Sequence, residues 1–98
     1  MNFEQKVYKL VKKIPKGKVS TYKIIAAKAG NKRAYRAVGN ALNKNRDKKV
    51  PCHRVISSDG KVGGFARGTQ EKIRILKKEG IKIKKDKVII SILCNLTG

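Results

Sequence analysis

Between Ser20 and Lys44 the chain carries two short apolar stripes of helical period, divided by one glycine at position 30. Ile24, Ile25, Ala26 and Ala29 fall on one face of the first, which Ser20 or Thr21 can cap at its start. Gly30 stands where a helix closes in the left-handed conformation. The second stripe begins around Asn31-Lys32-Arg33 and runs to Asn43 or Lys44, with Ala34, Val38, Ala41 and Leu42 facing inward. Neither segment is long enough to hold its own backbone against water, so each must pack on the other and on a third element. Two short helices joined by a tight glycine turn have the proportions of a helix-turn-helix.

The flanking segments supply that third element. From Asn2, a plausible N-cap, to Ile14 the residues Phe3, Val7, Leu10, Val11 and Ile14 recur at helical spacing, and Pro15 and Gly17 end the run. Lys18-Val19-Ser20 is expected as a plain connection. After a polar loop from Asn45 to Val50, Val55-Ile56 suits a short strand, and Ser57-Ser58-Asp59-Gly60 a turn back through Lys61-Val62. The loop Gly63-Gly64-Phe65-Ala66-Arg67-Gly68 lacks the Gly-Lys-Ser/Thr of a phosphate-binding loop, and its glycines suit close backbone approach to a flat ligand or pocket wall. Thr69 is expected to cap a last helix with Ile73 and Leu76 inward and Gly80 just past its end. Ile81, Ile83, Val88, Ile90 and Ile92 then suggest a hairpin turning at Lys84 to Lys87, followed by Cys94 as core filler. The expectation is one domain over residues 1–98, of the α+β class and mainly helical. It would be a helix-turn-helix, winged-helix-like unit with a short hairpin and small C-terminal strands.

With 26 Lys and Arg against 6 Asp and Glu, a formal charge of +20, so small a domain calls for a polyanion, and nucleic acid comes first. Heat adaptation also enriches lysine, but it normally raises glutamate too, and acids are scarce here. A basic membrane-surface protein fits poorly with so few aromatics. The sequence has no apolar run long enough for a membrane span and no secretory signal, which favours a reducing cytoplasm with Cys52 and Cys94 as free thiols. The third helix is the natural contact surface. Arg33, Arg36, Asn40 and Lys44 share its outer side, and Ala37 and Gly39 keep it flat enough to press against DNA. Gly39 costs about 1 kcal/mol against alanine in a helix interior, so close packing or a close partner is the expected cause.

Chemistry concentrates in Pro51-Cys52-His53-Arg54-Val55, where a thiol sits beside the only histidine. By itself Cys52 suits burial as a small apolar residue, the common fate of a free cysteine. A nearby imidazole or cation would instead make it a nucleophile toward carbon. A metal site is set aside, because Cys52, His53 and Cys94 are the only soft or imidazole ligands and adjacent residues rarely chelate one ion. If the pentad is a strand, neighbouring side chains point to opposite faces, and direct contact between Cys52 and His53 needs a turn at Pro51-Cys52 or a bridging water. Glu79, an acid in the last turn of a helix, needs a partner or is simply solvated.

These motifs together resemble the DNA-binding, acceptor-bearing domain of the O6-alkylguanine-DNA alkyltransferases, the methylated-DNA–protein-cysteine methyltransferases. The resemblance runs from Phe3 to Gly80. It rests on Gly17-Lys-Val-Ser-Thr-Tyr22, Ala34-Tyr-Arg36-Ala-Val-Gly39, Asn45, Pro51-Cys-His-Arg-Val55, Gly63-Gly-Phe65 and Lys78-Glu79-Gly80. It implies that Cys52 accepts an alkyl group from guanine O6, that His53 deprotonates it through a water, and that Glu79 orients His53. Arg36 would enter the base stack where the damaged nucleotide leaves. Tyr22 would crowd that nucleotide's phosphate and help protonate the departing guanine, and Asn45 would tie the turn before the acceptor to the recognition helix. Thr21, Arg33, Ala34, Tyr35, Ala37, Gly39 and Asn40 would share the DNA surface in the minor groove. Val50, Pro51, Val55, Gly63, Gly64, Phe65, Ala66 and Arg67 would line the alkylguanine pocket.

The implied protein is a monomer of the cytoplasm, nucleoid-associated in a prokaryote, acting once per molecule on double-stranded DNA with no cofactor, metal or membrane. Three departures stand out. The family's usual N-terminal domain has no counterpart before Phe3. The segment between Asn45 and Cys52 is about one residue shorter than in many members. Ala66-Arg67 replaces a hydroxyl and a glycine. The alternatives are an alkyltransferase-like protein that flags the lesion without efficient transfer, and a plain helix-turn-helix DNA-binding protein.

Overall fold

The computed structural model describes residues 2–62, 68–84 and 87–88. Helix α1 covers Phe3–Val11 and opens with a capping box: Asn2 Oδ1 accepts from Gln5 N at 2.8 Å, and Gln5 Oε1 from Asn2 N at 3.1 Å. It is shorter than the apolar pattern suggested. Residues 12–14 close with tighter bonds, Lys13 N to Leu10 O and Ile14 N to Val11 O, which turn Ile14 into the core.

Strand β1, Ser20–Thr21, leads directly into α2, Tyr22–Lys28, whose N-cap is Thr21, its Oγ1 accepting from Ile24 N at 3.0 Å. Gly30, at φ +103°, closes α2: its N–H reaches Ala27 O, and Asn31 N–H reaches Ala26 O, both orphan carbonyls being satisfied. Helix α3 is Tyr35–Lys44, so it begins later than the expected Asn31-Lys32-Arg33. Asn31 spends its side chain on Arg33 N at 3.1 Å, a local turn that competes with helix initiation. The helix-turn-helix is formed by α2 and α3, with α1 packed across both. Tyr8 of α1 donates to Ala41 O of α3 at 2.6 Å.

The pentad is not a strand throughout. Pro51 (φ −78°, ψ 70°) sits at the centre of an inverse γ-turn, with Cys52 N donating to Val50 O at 2.8 Å, and Cys52–Arg54 form one 3₁₀ turn. Strand β2 is only Val55–Ile56, and it pairs in parallel with β1, Ser20 opposite Val55 and Thr21 opposite Ile56. The connection expected at Lys18-Val19-Ser20 therefore ends in a strand. The turn after β2 forms as expected, Ser57 N bonding Lys61 O and Gly60 N bonding Ser57 O. Helix α4 is Thr69–Lys78, with Gly68 (φ +95°) in the cap position, so Thr69 is its first helical residue and not its cap. Gly80 closes it as Gly30 closes α2, and Ile83–Lys84 (β3) pairs antiparallel with Lys87–Val88 (β4). Gly63, Gly64, Phe65, Ala66, Arg67, Ile90, Ile92 and Cys94 lie outside the described residues.

Two apolar clusters result. Val7, Val11, Ile25, Val38, Leu42, Val50 and Val55 fill the space among α1, α2 and α3, whereas Val19, Ile56, Val62, Ile73, Leu76, Ile81 and Val88 fill that beneath α4. Successive strand residues point to opposite sides, so β2 sends Val55 into one cluster and Ile56 into the other. The 3₁₀ turn thus stands at the seam between the two.

Candidate active site and nucleic-acid face

A 3₁₀ turn has three residues per turn, so Cys52, His53 and Arg54 leave the backbone about 120° apart. Cys52, half-buried, packs against the α1–α3 cluster. Its Sγ accepts from Asn45 Nδ2 at 3.1 Å and lies 3.8 Å from Leu42 O. The same Asn45 amide donates to Asp47 O at 2.9 Å while its Oδ1 accepts from Asp47 N at 3.1 Å, so the loop after α3 aims the amide at the thiol. His53 and Arg54 turn instead toward the end of α4. His53 Nε2 lies 3.0 Å from Glu79 Oε2, and Arg54 binds the same carboxylate with both arms of its fork, Nε to Oε1 at 3.0 Å and Nη2 to Oε2 at 2.7 Å. The partner Glu79 needed is therefore a double one.

Electrostatics assigns the protons. Burial pushes the Glu79 carboxyl up, but the hydrogen bonds from Arg54 and His53, with their charges, outweigh it and hold the group below the usual carboxylate range. An ionised Glu79 accepts, so His53 Nε2 carries the hydrogen and Nδ1 keeps the free lone pair. Burial lowers the His53 pKa; Glu79 pulls it back, while the charges of Arg54 and Lys72 add to the lowering. The imidazole is thus neutral near pH 7 and available as a base. Burial raises the Cys52 pKa, against the Asn45 hydrogen bond, the backbone hydrogen bond and the Lys72 charge. At rest the group is a thiol that needs a base to become a nucleophile.

One site residue escaped the sequence reading. Lys72 of α4 is fully buried, its Nζ donating to Val55 O at 2.7 Å and to Tyr22 Oη at 3.3 Å, with the Tyr22 ring centroid 5.6 Å away. Burial pulls its pKa down to about 8, although a thiolate at Cys52 pushes it back up. Burial likewise raises Tyr22, with a contribution from the Cys52 charge. The available signal was its register: Lys72 lies next to Ile73 and one helical turn before Leu76, on the inward side of α4, where a lysine does not belong without a polar partner.

The other expected residues divide by location. Arg33, Tyr35, Arg36, Ala37 and Asn40 are exposed along the outer side of α3 and the turn before it, and Tyr35 lies beneath the Lys23 ammonium, 5.7 Å from its ring centroid. Ala34 packs against the core, and Thr21 is buried with its hydroxyl committed to the α2 cap, which places both behind that surface. A Cβ on Gly39 would lie 4.0 Å from the Tyr22 ring, so the flat stretch of α3 faces the tyrosine. Val50 and Val55 are buried, and Pro51 is half-buried beside the thiol. Among the described residues no three His, Cys, Asp or Glu side chains gather where they could hold a metal, and no helix is long and apolar enough to cross a membrane.

The structure therefore brings together a thiol bound by Asn45, an imidazole held by a carboxylate, and a tyrosine–lysine pair whose tyrosine lies against basic helix α3. Comparison with known proteins gives the chain a family. Residues 2–81 match the model of the 6-O-methylguanine DNA methyltransferase DNA-binding domain. A methylated-DNA–protein-cysteine methyltransferase of Methanosarcina barkeri is 49% identical over 79 residues, 80% of this chain and 50% of that protein. A bifunctional methyltransferase/endonuclease of Picrophilus torridus is 42% identical over 83 residues, 84% of this chain and 28% of that protein. The chain thus spans about half, or less, of these curated relatives. Among solved structures, S. pombe Atl1 in complex with DNA containing O6-carboxymethylguanine superposes with a TM-score of 0.86 at 35% identity, covering 94% of each chain. Mycobacterium tuberculosis OGT in complex with DNA gives 0.77 at 40% identity, over 82% of this chain and 49% of that one. The chain belongs to the 6-O-methylguanine DNA methyltransferase family, through its DNA-binding domain.

Proposed function

We propose that this protein repairs O6-alkylguanine in double-stranded DNA by moving the alkyl group to Cys52. The observation that carries the reading is the placement of a protonated thiol in the same 3₁₀ turn as a neutral, carboxylate-held imidazole. His53 Nδ1 takes the thiol proton through a water. Asn45 Nδ2, 3.1 Å from the sulfur, supports the thiolate as it forms. The sulfur attacks the alkyl carbon, the S–C bond forms, the C–O6 bond breaks, and its electron pair passes to the guanine. Tyr22 supplies a proton to the departing base, and the Lys72 ammonium 3.3 Å from its hydroxyl supports that oxygen as the proton leaves.

Reaching the lesion requires it to leave the stack, which costs a few kcal/mol in duplex DNA. Arg36, exposed on α3, is the side chain offered to the vacated space, and the small exposed side chain of Ala37 beside it lets the helix lie in the minor groove. The excess of lysine supplies phosphate contacts. A thioether has no easy leaving path, so each molecule acts once, without cofactor or metal.

Incubation with an oligonucleotide carrying O6-methylguanine, followed by mass measurement, tests the reading. A gain of one methylene on the peptide holding Cys52, absent in Cys52→Ala, supports it. The likeness to Atl1 over 94% of both chains favours a second reading, tight lesion binding without transfer. An unmodified protein that still holds the lesion selectively would establish that reading instead.

A further inference from the structure

Arg54 is the member of the central pentad to which the repair reading assigns no part, yet its side chain is only 17% exposed and fully engaged. Two of its nitrogens grip the Glu79 carboxylate, and the third, Nη1, donates to Ile14 O at 2.9 Å. It therefore fastens the end of α1, the 3₁₀ turn and the end of α4 at one point. Glu79 Oε2 is shared, receiving both Arg54 Nη2 at 2.7 Å and His53 Nε2 at 3.0 Å. We propose that Arg54, by competing with His53 for the same oxygen of Glu79, is a positioning residue that limits how tightly the His53–Glu79 pair binds a proton.

The reasoning is electrostatic. A carboxylate serving a histidine alone would stabilise the imidazolium and leave a base already occupied at neutral pH. A guanidinium on the same carboxylate divides that attraction and sets a like charge beside the imidazolium. Among the described residues, the charged or titratable groups that act on His53 are Glu79 and Lys72 from α4 and Arg54 from its own turn. Glu79 is the only negative one, so removal of Arg54 shifts the balance toward protonation. The planar fork matters as well, because a lysine can supply the charge but not two parallel bonds to a carboxylate plus a third to Ile14 O.

The consequence for transfer rests on the repair reading, but the test does not. His53 is the only histidine, so its two carbon-bound ring protons report one assignable titration by NMR in the intact protein without DNA. In Arg54→Met the His53 midpoint should rise by about one unit, and in Arg54→Lys by a smaller amount. The acid limb of the alkyl-transfer rate should move the same way in each variant, a change that simple loss of stability does not produce. A His53 midpoint at or below the wild-type value in folded Arg54→Met overturns the proposal. Should that variant not fold, an unshifted midpoint in Arg54→Lys does so. Failure of the wild-type protein to accept any alkyl group would overturn the repair reading while leaving the titration to decide the role of Arg54.

Discussion

The molecule uses cations in two opposite ways. On α3 and the turn before it, Arg33 and Arg36 stand in solvent, where water screens them and where, under the proposed function, they would meet phosphates and bases. Across the seam, Lys72 and Arg54 are withdrawn from water and tied to named acceptors: Val55 O and Tyr22 Oη for one, Glu79 and Ile14 O for the other. An exposed arginine is free to act at the surface, but a buried lysine loses part of its hold on the proton and acts on its neighbours. Under the proposed function the same residue class would give binding on one side and control of reactivity on the other.

The sharpest way to break this contrast is to remove the buried amine. Lys72→Met, which keeps the volume but not the charge, should lower transfer by about a hundredfold, the scale of losing support for a proton transfer, in single-turnover kinetics. It should also change stability with pH in a definite direction. The folded pKa of Lys72, about 8, lies below its ordinary 10.5, so between those values the unfolded chain holds a proton the folded one lacks. Stability therefore gains about 3 kcal/mol from this group as pH rises through that window. Urea titrations across the window should show that increment in the difference between wild type and variant. A difference curve flat with pH would place Lys72 with the solvated cations.

Next in size is Arg36→Ala. If the exposed arginine serves extrusion of the nucleotide, transfer from duplex O6-methylguanine should fall by about 10- to 100-fold, the equivalent of one to three kcal/mol. Binding to undamaged duplex, followed by fluorescence anisotropy, should change far less. Equal losses in both assays would reduce Arg36 to another phosphate contact.

Glu79→Gln probes the boundary between the two sides. With its folded pKa held down, Glu79 contributes stability that is present above its ordinary 4.5 and lost as pH falls through the folded value. The stability difference between wild type and Glu79→Gln, followed by circular dichroism in urea at a series of pH values, should therefore be about 1 to 3 kcal/mol at neutral pH and shrink as pH falls through the folded value. A variant as stable as wild type at pH 7 would show that the Arg54–Glu79–His53 cluster is decorative.

The smallest effect belongs to the exposed lysines. Lys44 pairs with Glu4 at 3.4 Å with both side chains largely in water, so Lys44→Gln should cost less than about 1 kcal/mol of stability. If Lys44 meets a phosphate, the slope of log affinity against log salt should fall by about 0.9, with lesion preference unchanged.

Much of this was legible from local pattern. The caps at Asn2 and Thr21, the left-handed closures at Gly30 and Gly80, and the apolar stripes of α1 to α4 all express interactions within a few residues, which sequence spacing encodes. Motif resemblance likewise singled out Cys52, His53, Glu79 and Asn45. Contacts between distant segments were not legible in that way. Two-residue strands carry no periodicity, so the β1–β2 pairing of Ser20–Thr21 with Val55–Ile56 left no signature. Asn31 and Arg33 suited a helix start by composition, but the Asn31 side chain took a turn hydrogen bond instead.

The pentad shows the division most plainly. Its sequence determined that a thiol, an imidazole and a guanidinium would be adjacent, and the chain's charge determined that the partner would be sought among polyanions. Only tertiary structure decided that a 3₁₀ turn fans those three groups apart, sending the thiol to Asn45 and the two cation-forming groups to Glu79. Only tertiary structure, too, set a buried lysine behind Tyr22. The physical reason is range. Propensity and capping act over one helical turn, whereas proton affinity depends on every charge and every ångström of burial around a group, contributed here by segments as many as 50 residues apart.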